Sequence, residues 1–186
     1  DSALRQRDDL SDYRIIHFAT HGLVTAPIPS CPARPALVTS FGGEDSDGLL
    51  TFQEIFDLKI DADLVILSAC DTAAEASVMA TREAGVTGGG GHAMDGLVRS
   101  FIGAGGRSVI ASHWPAPDDF DATKRLIGGL FSAAEGKSVA DALWATQVSL
   151  MDDVETSHPY YWAGFAIIGD GAQALLRGPT TAAPSA

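Results

Sequence analysis

Leu64–Thr72 reads LVILSACDT, and this stretch decides the fold. Leu64–Ala69 is a short apolar run, and it stops at Cys70-Asp71-Thr72. Three further runs have the same character. Arg14–Thr20 (RIIHFAT) ends at His21-Gly22, Ser108–Ser112 (SVIAS) ends at His113-Trp114-Pro115, and Gly164–Ile168 (GFAII) ends at Gly169-Asp170-Gly171. Near-continuous apolar runs of this length suit strands buried on both faces.

Helical patterns lie between the runs. Thr51-Phe52-Gln53-Glu54 has the spacing of a capping box, with Thr51 as N-cap of a short helix over Phe52–Leu58. Met94–Ile102 places Met94, Leu97, Val98, Phe101 and Ile102 at helical intervals, and Gly103-Ala104-Gly105-Gly106 stops it. Asp121–Ala134 and Ser138–Met151 repeat the pattern, the second with Ser138 as cap. Strands alternating with helices predict an α/β layered fold with a mostly parallel sheet. Val24–Ser40 is Pro-rich, with a small extra strand expected over Ala36–Phe41. Ala73–Gly91, which includes four consecutive glycines, reads as a mobile loop, and Gly178–Ala186 as a flexible tail.

The 186 residues suffice for one domain with a sizeable core. A net charge of −12 with scattered Lys and Arg argues against nucleic acid as a direct partner. No apolar run reaches the ~18 residues that a membrane span needs. Asp1–Asp12 is charged and unlike a signal peptide. Cys31 and Cys70 are therefore read as reduced thiols of a cytoplasmic protein.

In parallel α/β sheets, sites form at the carboxyl ends of strands. Two such ends carry His21 and Cys70, 49 positions apart, which leaves room for a crossover that sets their strands side by side. An imidazole beside a thiol can take its proton and later return it to a leaving amine. Gly22 lets backbone approach a substrate, so the Gly22 and Cys70 amides are candidates for an oxyanion hole. Taken alone, the pair also fits a small buried Cys and a hydrogen-bonded surface His. Thr20 or a backbone carbonyl is the candidate for orienting His21. His17, four residues before His21, shares its strand face. The simplest reading makes it a packed core residue rather than half of a metal pair.

Five blocks occur in order: YRIIHFATHG at Tyr13–Gly22, GLLTFQEI at Gly48–Ile55, LVILSACDT at Leu64–Thr72, GLVRSFIGAGGRSVIASHWP at Gly96–Pro115 and PYYWAGFAIIGD at Pro159–Asp170. Together they closely resemble the CHAT domain family, caspase-like domains often found downstream of tetratricopeptide repeats. The resemblance covers about Leu10 to Asp170. It implies a caspase-haemoglobinase-like three-layer αβα sandwich over residues 1–177, the C-terminal portion of a longer protein that here lacks the family's first strand. It implies a cysteine endopeptidase with His21 as general base and Cys70 as nucleophile, without metal or cofactor. A protein or peptide would be the substrate, and an upstream tetratricopeptide-repeat or sensor region the regulator, in bacterial stress or defence signalling. The alternative is a catalytically silent peptide-binding or protein-interaction module.

By the same resemblance, Ser112, His113 and Trp114 would offer a strand edge to which a substrate adds, with Trp114 as a pocket wall. Asp71 and Asp118, with Asp119, are candidates for pairing with a basic P1 residue. The favoured reading of Asp118 and Asp119 is the acidic start of the following helix, where anions suit the dipole. Arg82 in the Ala73–Gly91 stretch is a candidate self-cleavage point.

Overall fold

The computed structural model describes residues 1–23, 36–40, 46–70, 93–133 and 135–176. Among these residues, one sheet contains β1 (Ile15–Leu23), β2 (Ala36–Val38), β3 (Leu49–Thr51), β4 (Leu64–Cys70), β5 (Ser108–Ser112) and β6 (Phe165–Gly169). The helices are α1 (Ser2–Arg5), α2 (Phe52–Phe56), α3 (Ala93–Gly103), α4 (Ala122–Ser132), α5 (Val139–Met151) and α6 (Pro159–Trp162). The strand order is β3-β2-β1-β4-β5-β6. The centre, β1-β4-β5, is parallel, and antiparallel strands flank it on both sides.

This is the expected α/β class, with differences at its edges. The run ending at Ile168 forms β6, which pairs antiparallel to β5 and is only half-buried past Phe165. β3 is too short, at three residues, to show a period of its own. It runs directly into α2 and supplies that helix's N-cap.

The chain divides into two compact units. The first, Asp1–Ala116 with Ala163–Asp170, holds the sheet and α1 to α3. Alternation along the strands sends Val65, Leu67, Val109 and Ala111 into one core with Phe52 and Ile55 of α2 and Leu97, Val98 and Phe101 of α3. Phe18 joins them, its ring 5.0 Å from that of Phe101. The alternate positions Leu64, Ile66 and Ile110 are also fully buried, as strands covered on both faces require.

Local chemistry fixes the helix ends in this unit. At α2 the Thr51 hydroxyl accepts the Glu54 N–H at 3.4 Å, and the Glu54 carboxylate accepts the Thr51 N–H at 2.9 Å, which is the expected capping box. α3 ends in a Schellman arrangement: Gly106 N–H donates to Phe101 O at 2.9 Å and Gly105 N–H to Ile102 O at 3.1 Å. Gly105 sits at φ +111, and a Cβ there would lie 1.8 Å from Ile60 O, so only glycine fits.

At the amino ends of the parallel strands, Asp63 is buried between two guanidinium groups. Arg14 Nε donates to it at 2.6 Å and Arg107 Nη1 at 3.1 Å. Arg14 precedes β1, Asp63 precedes β4 and Arg107 precedes β5, so one carboxylate ties the starts of three strands together.

The second unit comprises Pro117–Trp162 and the segment from Gly171 onward. α4 buries Ala122, Leu126 and Leu130, and α5 buries Val139, Ala142, Leu143, Thr146 and Leu150. Ser138 caps α5 by accepting the Asp141 N–H at 3.1 Å. α4 starts differently from the expected Asp121 onset. A 3-10 turn, Asp119–Asp121, leads in, and Phe120 and Asp121 are both left-handed, with φ 55 and 53. Asp121 then serves as N-cap without a side-chain cap hydrogen bond.

Candidate active site

The apolar runs of β1 and β4 pair in parallel along seven rungs, from Ile15↔Leu64 to His21↔Cys70. Both strands are β-branched or aliphatic over most of this length, and burial holds their register because a one-residue slip would turn every side chain to the wrong face. Neighbouring strands lie about 4.8 Å apart, so the last rung sets the backbones of His21 and Cys70 side by side. The His21 side chain is exposed.

β1 does not stop at His21, as its apolar run implied. Gly22↔Leu37 and Leu23↔Ala36 add an antiparallel ladder to β2, which prolongs the strand past the end of β4. Gly22 is thereby held in extended backbone one residue beyond the His21–Cys70 rung. Thr20 does not orient His21. It alternates to the opposite side of the strand, and its hydroxyl donates to Val38 O at 2.5 Å.

A second polar pair lies lower on the His21 face. His17 Nε2 is 2.7 Å from Ser68 Oγ, across the two strands. His17 is exposed rather than a core residue, although its neighbours shield the ring enough to push its pKa below the ordinary histidine value. Four residues of strand separate His17 from His21 by about 13 Å, too far for a shared metal ion. Ser68 carried no signal in the sequence, because a serine inside an apolar run reads as a tolerated strand residue. Among the described residues no group of three or more His, Cys, Asp or Glu could hold a metal ion.

The other candidate residues are more dispersed. Ser112 ends β5 and is fully buried, and its hydroxyl donates to Trp114 O. β5 is an interior strand, since Ser112 pairs with Phe165 of β6 and His113 N–H donates to Gly164 O at 2.8 Å. The expected open strand edge is therefore occupied by β6 at these positions. The His113 side chain is exposed and Trp114 is half-buried, with its indole against Gly164. Asp118 is exposed in the second unit, at the start of the 3-10 turn. Asp71, Arg82 and the expected loop Ala73–Gly91 lie outside the described residues.

Each unit carries a cleft among its described residues. One of about 620 Å³ is lined by Ser2, Arg5, Gln6, Glu54, Asp57 and Leu58. The other, about 300 Å³, lies between α4 and α5 and includes Arg125, Gly129 and Thr146. No helix among the described residues is long and apolar enough to cross a membrane.

A sequence model of the CHAT domain matches residues 1–170. Tetratricopeptide repeat protein 28 of Homo sapiens is 29% identical over 204 aligned residues, covering 92% of this chain and 8% of that protein. Tetratricopeptide repeat protein 28 of Mus musculus is 30% identical over 137 residues, covering 72% of this chain and 5% of that protein. The chain thus spans less than a tenth of the length of these curated relatives.

Proposed function

This chain belongs to the CHAT domain family, and from that premise we propose that it is a cysteine endopeptidase using His21 and Cys70. The observation that carries the proposal is the terminal rung His21↔Cys70 at the carboxyl end of a parallel strand pair.

In this reading His21 accepts the Cys70 thiol proton. The thiolate attacks the scissile carbonyl carbon, and negative charge moves to the carbonyl oxygen, where the Gly22 and Cys70 backbone N–H groups stabilise it. Collapse breaks the C–N bond, and the leaving amine takes the proton from His21. Water, deprotonated by His21, then hydrolyses the thioester and restores the thiol. The residues act through protein groups alone, without a cofactor. Trp114 and His113, just past β5, are assigned to the wall of the substrate cleft. Its similarity to tetratricopeptide repeat proteins supports a tetratricopeptide-repeat region as regulatory partner in the full-length protein, and we assign the enzyme to the cytoplasm.

The alternative, a catalytically silent peptide-binding module, is favoured by one feature: among the described residues no side-chain hydrogen bond orients His21. Thiol chemistry separates the two. As an enzyme, Cys70 reacts with iodoacetamide near neutral pH about tenfold or more faster than Cys31, and His21→Gln removes the difference. Cys70→Ala abolishes cleavage of peptide libraries while the far-ultraviolet circular dichroism is unchanged. Equal alkylation of the two cysteines, or cleavage surviving in Cys70→Ala, refutes the peptidase and leaves the binding module.

A further inference from the structure

The second unit carries an aromatic surface that the peptidase reading does not use. Phe120 is 51% exposed and Tyr160 43% exposed, although both are large rings. They are joined through Tyr161: Phe120 meets its ring edge-on at 5.7 Å, and Tyr160 does so at 5.4 Å. Isolated exposed apolar residues need no explanation, but clustered aromatic rings are a feature of interaction sites.

Two further observations concern the same place. Phe120 is presented by two consecutive left-handed residues, a backbone conformation unfavourable for a side chain of this kind. The exposed carboxylates of Asp118 and Asp119 lie in the same turn. Pro117–Trp162 holds eight acidic and three basic residues. A ring face attracts a cation, and nearby carboxylates strengthen the preference for a guanidinium, which also stacks.

We propose that Phe120, Tyr160 and Tyr161, with Asp118 and Asp119, form a docking surface for an arginine-rich peptide segment of a partner protein. The occupant is chosen by charge complementarity. An acidic peptide or a phosphate backbone would be repelled, and a purely apolar segment would leave the carboxylates without partners. The surface acts by binding alone, so it stands whether or not Cys70 is catalytic.

Fluorescence anisotropy with a fluorescein-labelled peptide of alternating Gly and Arg, eight residues long, tests the proposal on the whole chain. Phe120→Asn keeps a residue that tolerates left-handed backbone, and Tyr160→Ser alters a second ring. Each is expected to weaken binding about threefold to fivefold, the loss of one cation–ring contact. Asp118→Asn with Asp119→Asn weakens it at least as much. Asp8→Asn with Asp12→Asn makes the same charge change in the first unit and leaves the affinity unaltered. Absence of peptide binding overturns the proposal. Equal weakening by the two asparagine pairs, unchanged affinity in both ring variants, or equal binding of a Gly-Glu peptide does so as well.

Discussion

His17 carries a pH signature in the first unit. Partial shielding of its ring disfavours the charged form, so its pKa in the fold lies below the ordinary 6.5. On acidification the unfolded chain therefore takes up this proton first. The stabilisation is complete above the unfolded value, declines as pH falls below about 6.5, and levels off once pH passes the folded value. His17→Gln keeps a hydrogen-bonding group near Ser68 but does not titrate. Thermal midpoints measured from pH 7 to pH 5 should fall less steeply in the variant, and equal slopes would refute the shielding. Gly105 gives a second residue-scale expectation. Its φ of +111 and the 1.8 Å approach of a Cβ to Ile60 O make Gly105→Ala costly, by about 2–3 kcal/mol in urea unfolding.

Among the elements, the termini of the helices carry the testable chemistry. Thr51→Ala removes the acceptor for the Glu54 N–H, and Ser138→Ala that for the Asp141 N–H. Each should lower stability by about 1 kcal/mol, additively, because the caps belong to different units. A loss well below this would mean that neighbouring groups or water replace the hydroxyl. The capping box of α2 was legible in the sequence, since it depends on two side chains three residues apart. The end of α3 was legible for the same reason, as glycine spacing alone encodes a Schellman stop. β1 was not. Its last residues are strand because β2 offers them partners, and a ladder to a distant three-residue segment leaves no periodicity in either sequence.

For the molecule as a whole, the three parallel strands depend on Asp63. Removing it by Asp63→Ala leaves Arg14 and Arg107 without their shared carboxylate. Both guanidinium groups are about 40% exposed, so water recovers part of the loss, and we expect a destabilisation of about 1–2 kcal/mol by urea unfolding. A double-mutant cycle with Arg14→Met should show coupling between the two sites, and simple additivity would assign the effect to packing. The amino-acid sequence by itself determined which segments became central strands and helices, because those choices rest on short-range burial and capping. It also placed Cys70 at the end of its strand, whereas His21 lies two residues before the end of β1. Tertiary structure alone decided that the two share the final rung of one parallel ladder, that β6 closes the side of β5, and that Thr20 faces away. Register and neighbour choice are set by which faces can be buried together, and that balance involves residues dozens of positions apart.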